Sequence, residues 1–154
     1  MSIKKVYMVG LVLIFLGLVS WGAFMEKEPS TRAQGMGGAF TAVSDDSSAV
    51  FFNPGGLAFL GDPQFLTLYT KFYNMDELSY GVLSYVHPIG VGGRSGVYSI
   101  SMETFGFDLY RESVLGVGYS MLFGGSSGLG FNLKFMGLDI ESIGTDNTIG
   151  LDIG

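Results

Sequence analysis

The sequence predicts an all-β fold: an antiparallel transmembrane β-barrel, incomplete at about five to six strands, with an N-terminal plug segment. Three observations predict it. The chain begins with an apolar stretch typical of an export signal, continues with a glycine-rich segment that lacks a long periodic pattern, and then alternates apolar and polar residues. These features divide the chain into a signal peptide at residues 1–23, a plug segment at 24–62 and a partial outer-membrane barrel at 63–154.

The first 23 residues have the three parts of a secretory signal peptide. Lys4 and Lys5 supply the positive start, residues 6–19 are apolar, and small residues follow. Cleavage is expected after Gly22 or after Ala23. The alternative is a retained membrane anchor. The apolar run is shorter than the roughly 20 residues that a membrane-spanning helix requires, and no basic cluster follows it, so the signal peptide is favoured.

Composition excludes several function classes. The chain has 154 residues, of which 47% are hydrophobic and 14% charged, a balance unusual for a soluble domain. A net charge of −6 argues against nucleic acid as a partner, because phosphate binding requires a concentrated positive field. The absence of cysteine excludes a disulfide framework and a thiolate metal site. We expect no cofactor and no metal.

From residue 63 onward the hydrophobic pattern has a period of two, which is typical of β-strands. A sixth strand begins near Thr148, and His87-Pro88 is expected to end the second strand before a glycine-rich turn at 90–95. The five complete strands are predicted at residues 64–73, 77–86, 96–105, 112–122 and 128–138.

Strands of about ten residues that alternate apolar residues with polar residues or glycine are typical of outer-membrane barrels. The alternative is a soluble secreted β-sandwich, since any antiparallel sheet can alternate. Charges on a lipid-facing surface cost a few kcal/mol, so polar side chains of the strands are expected to face the lumen. The lumen-facing candidates are Lys71, Glu77, Glu103, Asn132 and Lys134.

A closed transmembrane barrel needs at least eight strands, because an open sheet leaves unpaired backbone groups in lipid. The strand count therefore predicts that the sequence is the N-terminal part of a longer barrel, unless the barrel interpretation is wrong. The final residues also lack the closing aromatic residue that is expected of complete barrels.

The plug segment carries three motifs that occur in the same order in a known family. The segment resembles the mature N-terminus of the PorV/PorQ family of bacterial outer-membrane proteins, which are relatives of FadL/TodX-like transporters of hydrophobic compounds. Gly55 stands where alanine is commoner in that family. The motifs cover about a fifth of the chain, and their residues are Gly35, Met36, Gly37, Gly38, Asp45, Asp46, Asn53, Pro54 and Gly55.

The resemblance implies a location in the bacterial outer membrane, with membrane lipid as a partner. It implies that residues 35–57 form a hatch in the lumen and that the Asn53-Pro54 element holds the hatch. Two functions follow from it: passive transport or binding of a hydrophobic small molecule, as in FadL-like barrels, or a PorV-like role as a shuttle that binds proteins of type IX secretion. A fragment without a function of its own is the third alternative.

No arrangement in the sequence predicts an enzyme. The Gly35-Met36-Gly37-Gly38 run lacks the third glycine and the strand–turn–helix context of a dinucleotide loop. Asp45 and Asp46 have no third ligand at calcium-loop spacing, and they suit the first turn of a short helix capped by Ser44. His87 is the one histidine of the chain and is expected to be a loop or interface residue.

Overall fold

The structure, a computed structural model, describes residues 23–24, 27–91 and 94–154. Almost all of the predicted signal peptide lies outside these residues. Within the described part of the chain, six antiparallel strands form one sheet in sequential order, so the predicted all-β class is confirmed. The sheet is open, with the first and last strands at its edges. The strands are β1 (Gln64–Lys71), β2 (Ser79–Val91), β3 (Arg94–Phe107), β4 (Tyr110–Phe123), β5 (Ser127–Ile140) and β6 (Gly144–Ile153).

Three predicted boundaries of the first two strands are wrong. The first strand ends at Lys71, because Tyr73 and Asn74 take positive φ angles of 56° and 58° in a short 3₁₀ turn. The second strand begins at Ser79 and continues through Pro88 to Val91. The pairing of β1 with β2 ends at Val86, so Pro88 lies where β2 has one strand neighbour, a position that tolerates the missing N–H of proline.

The sixth strand starts at Gly144 rather than near Thr148. Its pairing with β5 begins at the Ile140–Gly144 pair, directly after a turn in which Ser142 has a φ of 65°. The hydrophobic pattern of β6 becomes regular only from Ile149, where Ile149, Leu151 and Ile153 alternate. The polar residues before it gave no periodic signal, which explains the late prediction.

Residues 27–60, called here the N-terminal segment, pack against one face of this sheet. They contain two short helices, α1 (Thr31–Gly35) and α2 (Ala49–Phe52), and a 3₁₀ helix, Pro54–Phe59. The hydroxyl of Ser30 accepts a hydrogen bond from the Ala33 N–H and so caps α1. Helix α2 ends at Phe52, and Asn53, the residue before Pro54, has the extended backbone that a following proline favours.

The predicted helix start at Ser44 is wrong. Helix α2 begins at Ala49, and Ser44 has a positive φ of 32°. The Oδ1 atom of Asp46 instead accepts hydrogen bonds from the N–H of Ser48, at 2.8 Å, and from its hydroxyl. The Asp46 carboxylate thus bonds to the backbone just before α2, and Asp45 and Asp46 both lie outside the helix.

The two faces of the sheet have different surroundings. We call the face against the N-terminal segment the covered face and the opposite one the open face. On the covered face, Val86 and Val97 are fully buried against Ala49, Val50 and Leu57 of the segment. On the open face, large apolar side chains of all six strands are exposed.

Candidate functional site

The Asn53-Pro54-Gly55 element sits directly on β5. A Cβ atom added at Gly128 would lie 2.1 Å from the carbonyl oxygen of Gly55, and one at Gly130 would lie 2.4 Å from that of Pro54. The hydroxyl of Ser120 on β4 donates a hydrogen bond to the same Pro54 oxygen at 2.6 Å. Glycine on β5 therefore lets two backbones touch, which no other residue would allow without a shift.

Asn53 organises the turn above this contact. Its Oδ1 accepts a hydrogen bond from the Gly55 N–H at 3.1 Å, and its Nδ2 donates to the carbonyl of Thr41 at 3.1 Å. The first bond caps the 3₁₀ helix, in which Pro54 occupies the first turn. Asn53 thus joins two parts of the N-terminal segment and fixes the carbonyl of Pro54 toward the sheet.

Three further hydrogen bonds hold the middle of the N-terminal segment to the covered face. The N–H of Ser47 donates to Oε1 of Gln64 at 2.8 Å, and the Ser84 hydroxyl donates to the Ser47 carbonyl at 3.2 Å. Asn132 donates its Nδ2 to the Val50 carbonyl at 3.4 Å. The strand side chains in these bonds come from β1, β2 and β5, so the segment is attached across most of the sheet.

The acidic pair of the segment binds an arginine. Asp45 accepts hydrogen bonds from both terminal nitrogens of Arg32, and Asp46 accepts one at 3.0 Å. The Arg32 guanidinium holds the pKa of Asp45 below its usual range, mainly through these hydrogen bonds. The same guanidinium lies 5.4 Å from the ring centroid of buried Phe40. The pair therefore closes the loop between α1 and α2, and Arg32 was missed by the sequence analysis.

The Gly35-Met36-Gly37-Gly38 run forms the exposed turn after α1. Gly37 and Gly38 have φ angles of 64° and 80°, which favour glycine, and the Gly38 N–H donates to the Ala33 carbonyl at 2.9 Å. Helix α1 is therefore followed by glycines in the left-handed backbone conformation, a common way for a helix to end. The run reverses the chain and lies away from the contact with β5.

A cavity of about 540 Å³ lies between the N-terminal segment and the covered face. The segment contributes aromatic and proline side chains, including Phe51 and Phe52. The sheet contributes apolar Val114 and Phe105 together with charged residues. The charged and phenolic residues of the lining are Lys27, Tyr80, Glu103, Glu112, Lys134 and Asp152.

Four of the five charged groups in the described lining of the cavity form two ion pairs. Lys27 Nζ lies 2.6 Å from Glu112 Oε2, and both side chains are about nine-tenths buried. Glu112 also accepts hydrogen bonds from the Tyr110 hydroxyl at 2.6 Å and from the backbone N–H of Phe24 at 2.9 Å. Lys134 Nζ lies 2.6 Å from Asp152 Oδ2. These contacts join the start of the segment to β4 and join β5 to β6.

Of the five lumen-facing candidates, three lie on the covered face. Asn132 is fully buried, and Glu103 and Lys134 are partly buried in the cavity wall. Lys71 lies on the other side of the sheet, in the exposed half of the β1 alternation, and pairs with Asp76. Glu77 lies in an exposed 3₁₀ turn outside the strands. Lys71, the last residue of β1, and Glu77, in the connection to β2, are therefore not part of the group around the cavity.

Sequence reasoning missed Lys27, Tyr80, Glu112 and Asp152. The sequence could have indicated Glu112, because in the predicted fourth strand it lies on the same face as Gly116 and Gly118. No periodic pattern surrounds Lys27, so its contact with Glu112 depends on the tertiary path of the segment.

The Gly-x-Ser-x-Gly run and His87 are the two features that resemble parts of a catalytic site. Residues 124–128 match the pattern Gly-x-Ser-x-Gly, but they form the hairpin turn between β4 and β5, with positive φ at Gly124 and Gly125, rather than a strand–turn–helix. His87 lies on the open face in β2, where its Nδ1 is 2.9 Å from the hydroxyl of Tyr85. Neither feature provides a nucleophile with a base.

No family model matches the chain, and neither a curated protein nor a solved structure matches it. Among the residues that the structure describes, none of the helices has the length and apolar character needed to span a membrane.

Proposed function

We propose that this chain forms part of an outer-membrane β-barrel in which the N-terminal segment is a hatch, and that it binds or passes hydrophobic small molecules as FadL-like barrels do. One observation carries the membrane part of the proposal. A row of paired apolar side chains crosses the open face from one edge of the sheet to the other, and every member is exposed. The row is Phe65, Tyr85, Ile100, Val117, Leu133 and Leu151.

Parallel rows flank it. Met102, Leu115, Phe135 and Ile149 form the next row toward one end of the sheet, and all four are exposed. Soluble monomers rarely expose a contiguous apolar patch larger than a few hundred Å². Exposing such a patch to water is unfavourable, and contact with the lipid tails of a bilayer would remove that cost for every strand at once.

The distribution of charge supports the same assignment. Glu103, Lys134 and Asp152 project to the covered face, while the middle of the open face carries apolar side chains. A charged side chain at the middle of a lipid-facing strand costs about 2–4 kcal/mol, and a lumen-facing one does not. The proposal requires the edges of β1 and β6 to pair with further strands, because unpaired edge groups are costly in lipid.

The ligand part of the proposal rests on the cavity. Its volume falls in the range of small-molecule sites, about 300–1,000 Å³. Phe51 and Phe52 of the N-terminal segment and Phe105 and Val114 of the sheet supply the apolar part of a lining that also carries charged groups. Because the segment forms one wall, a shift at the Asn53-Pro54-Gly55 contact would change access to the cavity.

The test combines location with binding. The exported full chain is fractionated from a Gram-negative host, and naphthalene binding is measured by fluorescence after reconstitution in liposomes. We expect the chain in the outer-membrane fraction. Val114→Trp, which fills the cavity, should weaken naphthalene binding at least tenfold, whereas Val117→Trp on the open face of the same strand should leave it unchanged. Recovery in the soluble periplasmic fraction, or equal binding by both variants, would overturn the proposal.

A further inference from the structure

We propose that the cavity between the N-terminal segment and the sheet prefers a hydrophobic ligand that carries an ammonium group, with Glu103 as its counter-ion. The inference rests on the proposed function, because it names the class of small molecule that the same site would take. It follows from the charges, the aromatic residues and the size of the cavity.

The charges of the lining do not balance. Lys27 and Lys134 each lie 2.6 Å from a carboxylate oxygen, that of Glu112 and that of Asp152 respectively. Glu103 is a third carboxylate, and its hydrogen-bond partner within the described ranges is the neutral hydroxyl of Tyr80, 2.6 Å from Oε2. Among the described lining residues the cavity therefore holds one more carboxylate than cations, and the excess charge lies at Glu103.

A partly buried carboxylate that lacks a cation partner, as Glu103 does among the described lining residues, attracts a cation from a ligand. Taking a carboxylate out of water is costly, and an ammonium group within about 4 Å offsets that cost. A ligand carboxylate at the same place would add repulsion from Glu103. A neutral hydroxyl would gain a hydrogen bond without the charge attraction. The expected order of affinity is amine, then alcohol, then carboxylate.

The aromatic residues of the cavity suit the same ligand. Lys27 Nζ already lies 4.1 Å from the ring centroid of Phe105, which is a cation–π contact inside this wall. Tyr80 stacks on Phe72, with ring centroids 6.2 Å apart, and its hydroxyl points to Glu103. An ammonium group beside Glu103 would thus lie next to Tyr80, and the rest of the ligand would contact Phe51 and Phe52.

The test compares three water-soluble probes of matched shape: 2-phenylethylamine, 2-phenylethanol and 3-phenylpropionate. Binding to the full chain in liposomes is measured by calorimetry. We expect the amine to bind about tenfold more tightly than the alcohol, and the carboxylate to bind most weakly. Glu103→Gln keeps the shape and the contact with Tyr80, and it should reduce the amine preference to less than about twofold.

Two further variants separate the charge from other effects. Glu77→Gln removes a carboxylate from an exposed turn outside the cavity and should leave the amine preference intact. Tyr80→Phe removes the hydroxyl and leaves the Glu103 charge, so the preference should persist even if Glu103→Gln does not fold. Equal binding of amine and alcohol by the unmodified chain would overturn this inference and leave the proposed function standing. Failure of all three probes and of naphthalene to bind would overturn both.

Discussion

Two faces of one sheet, built from the same strands, have opposite chemistry. One row of the open face consists of Phe65, Tyr85, Ile100, Val117, Leu133 and Leu151. The adjacent row of the covered face consists of Gln64, Val86, Ser99, Gly118, Asn132 and Asp152. A shift of one residue along each strand exchanges large apolar side chains for small or polar ones, because side chains alternate across a strand.

The difference indicates what each face is suited to contact. Small residues on the covered face let the backbone of the N-terminal segment approach, and hydrogen bonds from Ser84, Ser120 and Asn132 then fix it. The open face has no such small residues along its central row, and its side chains remain exposed at 38% or more. The covered face is therefore suited to one defined peptide segment, and the open face to an apolar surrounding without defined partners.

The largest expected effect comes from placing a charge in the middle of the open face. Leu133→Arg lies near the centre of β5, and we expect it to reduce the free energy of unfolding in liposomes by about 2–4 kcal/mol. Phe123→Arg, at the end of β4, should cost about 0–1 kcal/mol because an interfacial charge reaches water. The measurement is urea unfolding of both variants in the same liposomes. Equal costs at the two positions would contradict a lipid-facing surface.

A smaller effect is expected on the covered face. Gly130→Ala places a Cβ atom 2.4 Å from the Pro54 carbonyl, so the segment or the strand must move, at a cost of about 1–3 kcal/mol. Gly150→Ala is the matched control, because its Cβ atom would meet Met136 at an ordinary 3.6 Å. Hydrogen–deuterium exchange of the 3₁₀ helix should rise in the first variant and not in the second. Unchanged exchange in Gly130→Ala would mean that this contact does not hold the segment.

The sequence predicted the chemistry of the faces best in β4 and β5. In these strands large apolar residues such as Leu115 and Leu133 alternate with glycine, serine and asparagine. The sequence therefore distinguishes the apolar face from the face with small and polar residues. In β2 the pattern was misleading. Tyr80, Val82 and Val86 form the apolar half of the alternation, which the barrel prediction places on the outer side, but all three are buried on the covered face.

The physical reason is the position of the N-terminal segment. Val86 packs on apolar residues of α2 and of the 3₁₀ helix, so this part of the covered face needs an apolar surface as well. Periodicity within one strand cannot report a contact that another part of the chain supplies. The same limit applies to Lys27, whose partner Glu112 is 85 positions away in the sequence.

The smallest expected effect concerns the Arg32–Asp45 ion pair, in which both side chains are about half exposed to solvent. The pKa of Asp45 in the folded chain is lowered from its ordinary value of 3.8. The stabilisation of the segment by this pair is therefore fully present at pH values above the ordinary pKa. It is lost as the pH falls through the pKa of the folded chain. Hydrogen–deuterium exchange of residues 27–48, corrected for intrinsic rates, should therefore increase below about pH 4. Arg32→Gln should abolish the step. An identical step in Arg32→Gln would assign it to another group.

Contact between the open face and lipid can be measured directly, because the chain contains no cysteine for a label to attack elsewhere. Single nitroxide labels are attached through Phe131→Cys, Leu133→Cys, Phe135→Cys and Lys134→Cys, and collision rates with oxygen and with a water-soluble nickel complex are measured in liposomes. If the open face contacts lipid, labels at 131, 133 and 135 will collide with oxygen and not with nickel, and the label at 134 will do the reverse. Nickel access at 133 equal to that at 134 would contradict it.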